Sequence, residues 1–333
     1  MSENVRCNLC NGNNLVCKLI VRDEFWMIGE KFNIVQCWNC NLAFVNPRPS
    51  DDEIGKYYPD EYYVNAEEWN IERDDVKELQ RRLEYVVKHY GPKPPGKLLD
   101  IGIFNGAFVS FTLNSGWDAY GLDPSLEAIS LARQIVPTER LFHGYAESPP
   151  FPPSTFEAVS MWEVLEHTLD PLHVLKTVRN LISSKGLIVI SVPNFASLES
   201  RLFGKYWNGL DVPRHLYHFT PATLDRMLKK AKLNIVYMKT INASQILEFA
   251  DPITYGRESI RNLLINLELY PERRSISNQV HEEYNLNDDS HLNRRKWKRT
   301  LFRAMETPLL WIINSISAVS ASDNTIIAVA RKN

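Results

Sequence analysis

The chain has 333 residues, of which 44% are apolar and 23% are charged, which is typical of a globular protein that folds in water. Its formal net charge of −2 excludes a general electrostatic attraction to nucleic acid. No run of about 18 apolar residues is present, which argues against a membrane span. The first residues, MSENVRCNLC, do not form a secretory signal, so we expect a cytoplasmic protein. The length suggests one large domain with appendages.

Four of the five cysteines form two C-x2-C pairs, Cys7–Cys10 and Cys37–Cys40. Each pair can present two thiolates from a tight turn, and two such turns complete a tetrahedral zinc site. A redox pair is a poorer interpretation, because neither motif opens a βαβ helix, and reduced thiols in a small fold are the other alternative. The spacing predicts a structural, non-catalytic zinc site. Cys17 is left over, and we expect it to be a buried apolar residue.

The sequence divides into four predicted parts: a zinc module at 1–46, a linker and helical lead-in at 47–92, an α/β domain at 93–240 plus 321–333, and a mostly helical insertion at 241–320. Apolar residues recur at helical spacing over 72–90, which predicts a helix there. The stretch GPKPPG then breaks the chain before the α/β domain.

Predicted strands and helices alternate from residue 97 onwards. The strands are expected at 97–101, 118–122, 156–162, 186–192, 234–240 and 324–330, and the helices at 106–115, 125–134, 171–182 and 221–232. This order predicts a doubly wound, mostly parallel sheet with helices on both faces. Such sheets bind ligands beyond the carboxyl ends of their strands, where Asp100, Asp123 and Glu163 fall.

The stretch KLLDIGIFNGAF, residues 97–108, contains a strand that ends on Asp100 and a turn with Gly102 and Gly106. It matches neither the dinucleotide fingerprint nor the P-loop. Asp123, in YGLDPS, can accept two hydrogen bonds from a ribose diol. The pattern favours a cofactor with a ribose and no phosphate, such as S-adenosylmethionine. The alternative for Asp123 is an acid that stabilises a helix N-terminus.

Over roughly 93–240, and again in the last strand DNTIIAVARKN, the chain resembles the class I, seven-stranded S-adenosylmethionine-dependent methyltransferases. Four motifs in order carry this resemblance: LLDIGIFNGAF, YGLDPSLEAISLAR, GYAESPPFPPSTFEAVSMWEVLEHTLDP and GLIVISVPN. The stretch VQCWNCNLAFVNPRPSDDEIGKYYPDEYY resembles the zinc-ribbon leader of some bacterial members linked to sugar and surface-glycan pathways.

The resemblance implies where the parts of the cofactor would lie. Asp100 and Gly102 would line the methionine end, Asp123 would hold the ribose, Pro124 and Ser125 would shape the turn beside the adenine, Ala146 and Glu147 would edge the adenine ring, and Trp162 and Glu163 would close the pocket.

Phe104 departs from the family pattern, which usually has glycine at this position. A non-glycine residue in a left-handed turn costs roughly 1–2 kcal/mol, unless its φ is negative. Phe104 is expected either to point away from the cofactor or to cover it, while Gly106 remains for close approach. A domain that no longer binds the cofactor is the alternative.

A base is needed if the acceptor is a hydroxyl or a carbon acid. The candidates are His215 and His167, then His218, with Tyr217 able to orient a hydroxyl; a structural hydrogen bond is the alternative for each histidine. The loop PNFASLESRLFGKYWNGLDVPRHLYHFT is expected to face the substrate. Its aromatic residues Phe203, Tyr206 and Trp207 either stack on a ring or sugar, or simply pack the loop.

These observations predict methyl transfer to a small or carrier-linked acceptor, most simply a sugar or glycan intermediate. An O-methyltransferase of a quinone-type or lipidic ring, and an inactive adaptor, are the alternatives. No nucleic-acid partner is expected, because the charges of the zinc module balance. The basic and apolar segment at 290–320 either touches an anionic membrane surface or covers the sheet, and the second interpretation is favoured.

Overall fold

The computed structural model describes residues 2–23, 30–58, 76–91, 96–241 and 323–332. Its helices are α1 Asp51–Ile54, α2 Val76–Tyr90, α3 Ala107–Asn114, α4 Leu126–Ala132, α5 Pro171–Leu181, α6 Leu198–Phe203 and α7 Pro221–Lys230. Its strands are β1 Leu15–Arg22, β2 Lys31–Cys37, β3 Ala43–Val45, β4 Lys97–Ile101, β5 Asp118–Asp123, β6 Leu141–His143, β7 Phe156–Trp162, β8 Ile182–Pro193, β9 Tyr217–His218, β10 Leu233–Ile241 and β11 Thr325–Lys332. None of the helices in these described ranges is long and apolar enough to cross a membrane.

The larger sheet has seven strands in the order β10-β11-β8-β7-β4-β5-β6. Strand β11 runs antiparallel to both of its neighbours, and the other pairings are parallel. This confirms the predicted doubly wound, mostly parallel sheet, and all six predicted strands are present. The three-residue strand β6 was not predicted, because it is too short to show a hydrophobic period.

A second, antiparallel sheet has the order β1-β2-β3-β9. Strands β1 to β3 belong to the N-terminal module, which we call the ribbon (the described residues of 2–46). Strand β9 comes from the loop after β8 and pairs Phe44 with Tyr217 and Ala43 with His218. The ribbon therefore completes its sheet with a strand of the α/β domain, although the sequence predicts a separate module at 1–46.

One hydrophobic core joins the ribbon to the larger sheet. Leu42 and Phe44 of the ribbon lie in the same buried cluster as Leu175 and Phe219. The rings of Phe44 and Tyr217 are 6.1 Å apart. Because each fully buried large apolar side chain stabilises a fold by about 1.5–3 kcal/mol, this shared core holds the two sheets firmly together.

Two expectations about single side chains are resolved by this packing. The prediction that Cys17 is buried is wrong: it is exposed, because β1 is the edge strand of the ribbon sheet. Phe203 and Trp207 are buried in a cluster with Val21 and Phe32 of the ribbon, so they pack the loop rather than offer a surface to a substrate. The predicted insertion from residue 242 onwards, with the segment 290–320, lies outside the described residues.

Candidate functional site

Three acidic residues meet at the carboxyl end of the parallel sheet. Asp100 and Asp123 lie in β4 and β5, and Glu163 directly follows β7. Strand β4 lies between the other two, and Asp100 is in register with Gly121 and Ser160. The predicted grouping of the three carboxylates is therefore a direct consequence of the strand order.

Burial weakens the acidity of all three groups, as Asp100 and Glu163 show most clearly. Asp100 is 2% exposed, and its Oδ1 accepts a hydrogen bond of 2.6 Å from Ser160 Oγ. Burial raises the pKa of Asp100 to about 7, although this hydrogen bond and the charge of Arg82 oppose the shift. Burial likewise raises the pKa of Glu163 to about 7, against a hydrogen bond from Ser191. Such groups can take or release a proton near neutral pH.

Asp123 is held by backbone donors from both sides. Its Oδ1 accepts from Ser125 N at 2.9 Å, and its Oδ2 accepts from Phe104 N at 3.3 Å. Burial raises its pKa to about 6, although these hydrogen bonds lower it. The helix N-cap is Ser125, whose Oγ accepts from Ala128 N at 3.1 Å, so Asp123 is not needed as the cap. Its carboxylate keeps lone pairs for a ribose diol.

The turn between β4 and α3 keeps its left-handed residues despite Phe104. Gly102, Phe104 and Gly106 have φ values of +78°, +52° and +79°. The Phe104 conformation costs roughly 1–2 kcal/mol, and it directs the Phe104 amide towards Asp123. A Cβ on Gly106 would lie 2.6 Å from Ala132 Cβ, so this glycine allows α3 to approach α4. The same turn thus fixes the helix packing and the orientation of Asp123.

Arg82 of α2 is a residue of this site that sequence reasoning missed. Its guanidinium carbon lies 5.5 Å from the ring centroid of Trp162, and it forms an ion pair with Glu78. Its positive charge lowers the pKa of both Asp100 and Glu163, against the larger effect of burial. The indole Nε1 of Trp162 is buried without a partner among the described residues. Helical spacing alone placed α2 but gave no reason to single out one arginine.

The residues expected around the adenine lie beside β5 and β6. Pro124 O accepts a hydrogen bond of 2.9 Å from His143 Nε2. Ala146 is buried, and burial raises the pKa of Glu147. The expected roles of these residues at a cofactor edge remain predictions.

Two of the candidate bases are brought together. The rings of His167 and His215 lie edge to face with centroids 4.5 Å apart. His215 Nδ1 is 3.0 Å from Gly209 O, and His167 Nδ1 is 3.1 Å from Arg214 O. His167 Nδ1 also lies 3.0 Å from the hydroxyl of Tyr58, which can donate or accept. Because a carbonyl oxygen only accepts hydrogen bonds, the two carbonyl contacts favour a proton on Nδ1 of each ring. The lone pair of each imidazole is therefore on Nε2.

Both histidines are neutral at pH 7. Burial, with a contribution from His215, lowers the pKa of His167 to about 3. Burial also lowers the pKa of His215, although the charge of Asp211 opposes this shift. A neutral imidazole with an available Nε2 can accept a proton from a bound acceptor.

Glu166 is a further member of this cluster that the sequence did not single out. It is completely buried, and its carboxyl group lies beside that of Glu163. Burial raises its pKa well above the ordinary value. One ligand atom each from Glu166, His167 and His215 lie within 4.8 Å of one another, a donor set that could also hold a divalent cation.

Tyr217 and His218 lie elsewhere, in β9. The hydroxyl of Tyr217 donates to Leu169 O at 3.1 Å and lies 3.3 Å from Arg48 Nη1. Burial raises the pKa of this phenol. His218 is buried in the ribbon sheet, 5.5 Å from the ring of Phe195. The structure therefore gives Tyr217 a place in the contact with the ribbon rather than beside the histidine pair.

The four paired cysteines converge at one end of the ribbon. The Sγ atoms of Cys7 and Cys40 are 3.3 Å apart, and those of Cys10 and Cys37 are 3.4 Å apart. All four Sγ atoms lie within 4.8 Å of one another. Four converging thiols form the donor set of a closed tetrahedral metal site.

The strand order of the larger sheet, with its antiparallel β11, is that of a class I S-adenosylmethionine-dependent methyltransferase. A family model described as "Methyltransferase domain" matches residues 71–238, half of the chain, and the chain belongs to this family.

Two groups of known proteins are similar to this chain. A ubiquinone biosynthesis O-methyltransferase of Aliivibrio fischeri is 27% identical to this chain over 147 residues. The match covers 40% of this chain, and the chain spans only 61% of the length of that relative. One of Xanthomonas campestris is 22% identical over 57% of this chain and 85% of the relative. Among solved structures, an S-adenosylmethionine-dependent methyltransferase of Archaeoglobus fulgidus shares 16% identity over 82% of this chain and 100% of its own, with a TM-score of 0.48.

The Asp123→Ala substitution is expected to weaken binding of S-adenosylmethionine by about 1–3 kcal/mol, because hydrogen bonds to a charged acceptor are lost. Isothermal titration measures this change. Asp118→Asn is the matched control, since Asp118 lies at the other end of β5 and pairs with Arg140. Equal affinity of the parent and Asp123→Ala would remove Asp123 from the ribose site.

Cofactor affinity is also expected to depend on pH. The pKa values of Asp123 and Asp100, about 6 and about 7, are both raised by burial, so the carboxylates become neutral as the pH falls. Hydroxyl donors and a cationic cofactor favour the ionised forms, so affinity should be highest above pH 7 and fall between pH 7 and 5, by up to about tenfold per unit for each group. Asp123→Asn should flatten the lower part of this profile. A constant affinity from pH 8 to 5 would contradict the argument.

Proposed function

We propose that this protein transfers the methyl group of S-adenosylmethionine to an oxygen or an acidic carbon of a small or carrier-linked acceptor, and that the acceptor is a sugar or glycan intermediate. The observation that carries the proposal is the neutral His215, whose Nδ1–H is held by Gly209 O and whose Nε2 can accept a proton. An acceptor that must lose a proton is a hydroxyl or a carbon acid. The resemblance of the ribbon to the leaders of glycan-pathway methyltransferases supports the sugar class.

The residues of the sheet edge would bind and orient the cofactor, which supplies an electrophilic methyl group when bound. Asp123 would accept hydrogen bonds from the ribose hydroxyls, and Asp100 and Glu163 would place negative charge near the cationic methionine end. Arg82 would provide the opposite charge for the methionine carboxylate. Alignment of the acceptor with the methyl group accounts for much of the rate in such a displacement.

The contribution of Arg82 can be tested with a neighbouring residue as the control. Arg82→Met should weaken binding of S-adenosylmethionine by about 1.5–3 kcal/mol, the value of a hydrogen bond to a charged group. Arg81 lies on the exposed side of α2, and Arg81→Met should leave the affinity unchanged. Because Arg82 also pairs with the buried Glu78, thermal unfolding is measured alongside the titration. Equal affinities of Arg82→Met and Arg81→Met for S-adenosylmethionine would exclude a contact between Arg82 and the methionine carboxylate.

A hydroxylated ring is the second candidate acceptor. It is favoured by the relatives of Aliivibrio fischeri and Xanthomonas campestris, which are ubiquinone biosynthesis O-methyltransferases. The same His215 would take the proton from a phenolic hydroxyl.

Labelled S-adenosylmethionine and two acceptor panels separate these candidates. One panel contains nucleotide-linked sugars and the other contains catechols, and each is tested with the parent and with His215→Ala. Label in a sugar product that depends on His215 supports the first candidate, and label in a catechol product supports the second. Label in neither panel, from protein that binds S-adenosylmethionine, would contradict both acceptor classes. Turnover is also measured with a chelator and again after a divalent metal ion is restored. This comparison shows whether the cluster of Glu166, His167 and His215 needs a cation.

We also propose that the four ribbon thiols bind one structural zinc ion. The support is the all-sulfur donor set and its enclosure, since Cys7, Cys37 and Cys40 are buried. The proposed ion has no part in methyl transfer, because a closed four-thiolate site leaves no position for a substrate.

A further inference from the structure

The side chain of Arg214 lies completely buried between the ribbon and the loop that carries His215. Its Nη1 donates to Asp23 Oδ2 at 3.0 Å and to Tyr57 O at 3.1 Å. Its Nη2 donates to Asp23 Oδ1 at 3.0 Å and to Asp211 Oδ1 at 2.6 Å, and its Nε donates to Asp211 at 3.1 Å. A guanidinium has five N–H donors, and all five have an acceptor here. The orientation of this group is therefore fully determined.

The backbone on both sides of this ion pair holds the two histidines. His215 N donates to Asp211 O at 2.9 Å, and His215 Nε2 lies 3.9 Å from Asp211 Oδ2. Arg214 O accepts the Nδ1–H of His167 at 3.1 Å. A displacement of Arg214 would therefore change the position of both imidazole rings.

Asp23 is the contribution of the ribbon to this network. Asp23 directly follows β1. Val21 of β1 is paired with Phe32 of β2, and it packs in the same cluster as Leu210 and Val212 of the loop that carries His215. Its side chain is completely buried against Arg214. The strand pairing of the ribbon therefore holds Asp23 in place, whereas its partner Arg214 belongs to the α/β domain.

Stability alone is a poor explanation for this arrangement. Desolvation of buried charges cancels much of their attraction, and apolar side chains of similar size often stabilise a fold equally well. Charged groups with fixed hydrogen-bond directions, by contrast, determine the orientation of neighbouring groups.

We propose that Asp23 of the ribbon is a positioning residue for His215, acting through Arg214 and Asp211. The role of His215 as proton acceptor rests on the proposed function, whereas its orientation by this network does not. The ribbon is therefore part of the construction of the active site and not only an appended module.

The test follows the ring nitrogens of His215 in protein labelled with ¹⁵N-histidine. Long-range ¹H–¹⁵N spectra report the tautomer of each ring, and His215→Gln assigns the signal. The parent should show the single Nδ1–H tautomer, and Asp23→Asn should show a mixture or a shifted signal. Arg48→Met is the matched control, because Arg48 crosses the same interface to Leu169 O but does not contact the His215 network. This control should keep the parent signal.

A double variant, Asp23→Leu with Arg214→Met, separates positioning from packing and guards against a single variant that fails to fold. We expect it to fold but to lose the single His215 tautomer. An unchanged tautomer in Asp23→Asn, or its full recovery in the apolar double variant, would overturn the proposal.

Turnover distinguishes this inference from the proposed function. With an acceptor from the two panels, Asp23→Asn should lower turnover by roughly 10- to 100-fold, as expected for a misplaced group, with affinity for S-adenosylmethionine unchanged. A changed tautomer with normal turnover would support the positioning contact and contradict His215 as the base.

Discussion

Replacement of His215 by alanine is expected to lower turnover by roughly 100-fold or more, the contribution of a well-placed general base. Affinity for S-adenosylmethionine should stay unchanged, because other residues, among them Asp100 and Asp123, are proposed to bind the cofactor. The physical reason is the loss of the neutral Nε2 acceptor, whose ring is oriented by Gly209 O. Steady-state turnover with isothermal titration of the cofactor separates the two effects.

His167→Ala is the comparison variant, because its ring lies edge to face with that of His215 and has the same Nδ1–H orientation. It should lower turnover less than His215→Ala. If His167→Ala alone abolished turnover, the base would be His167.

Replacement of Cys37 by serine is expected to remove the proposed zinc ion and to lower the free energy of unfolding by several kcal/mol, because binding of a structural zinc ion is coupled to folding. Cys37 is completely buried at the end of β2, where its Sγ lies 3.4 Å from Cys10 Sγ. The loss of stability should extend to the loop that carries His215, because β9 follows this loop and pairs with β3 of the ribbon. Metal analysis and thermal unfolding measure both effects.

Cys17→Ser is the matched control for this prediction. Cys17 is exposed on the edge strand and lies outside the converging thiols, so its replacement should change neither metal content nor stability. Zinc content and unfolding of Cys37→Ser that equal those of the parent would contradict the ribbon site.

The grouping of acidic residues at one edge of the sheet could be predicted from the sequence because it depends on local patterns. An acid lies at or next to the carboxyl end of each of the three strands, and parallel strands bring these ends to one edge, which places Asp100 and Asp123 at the same edge of the sheet. The paired C-x2-C motifs were likewise a local signal. In each case a short segment contains both the structural element and the residue that carries the chemistry.

The histidine cluster could not be assembled from the sequence in this way. His167 and His215 belong to different loops, and their contact depends on how the loop after β8 meets the segment that follows β7. The network of Asp23 and Arg214 joins residues 191 positions apart. No periodicity relates such residues, so only the tertiary fold reveals their contact.

Cys17 shows a similar limit for a single residue. Its burial was expected from residue type, yet exposure depends on whether a strand lies at the edge or in the middle of its sheet. That position is set by the partner strands, and the last strand of this sheet, β9, is contributed by a distant loop.

Transfer of labelled methyl from S-adenosylmethionine to a small-metabolite extract of the native host, followed by mass spectrometry, tests the central claim most directly. The parent protein should label a metabolite that carries a hydroxyl or an acidic carbon, and His215→Ala should not label it. An extract that remains unlabelled, together with no heat of binding at millimolar S-adenosylmethionine, would contradict the account.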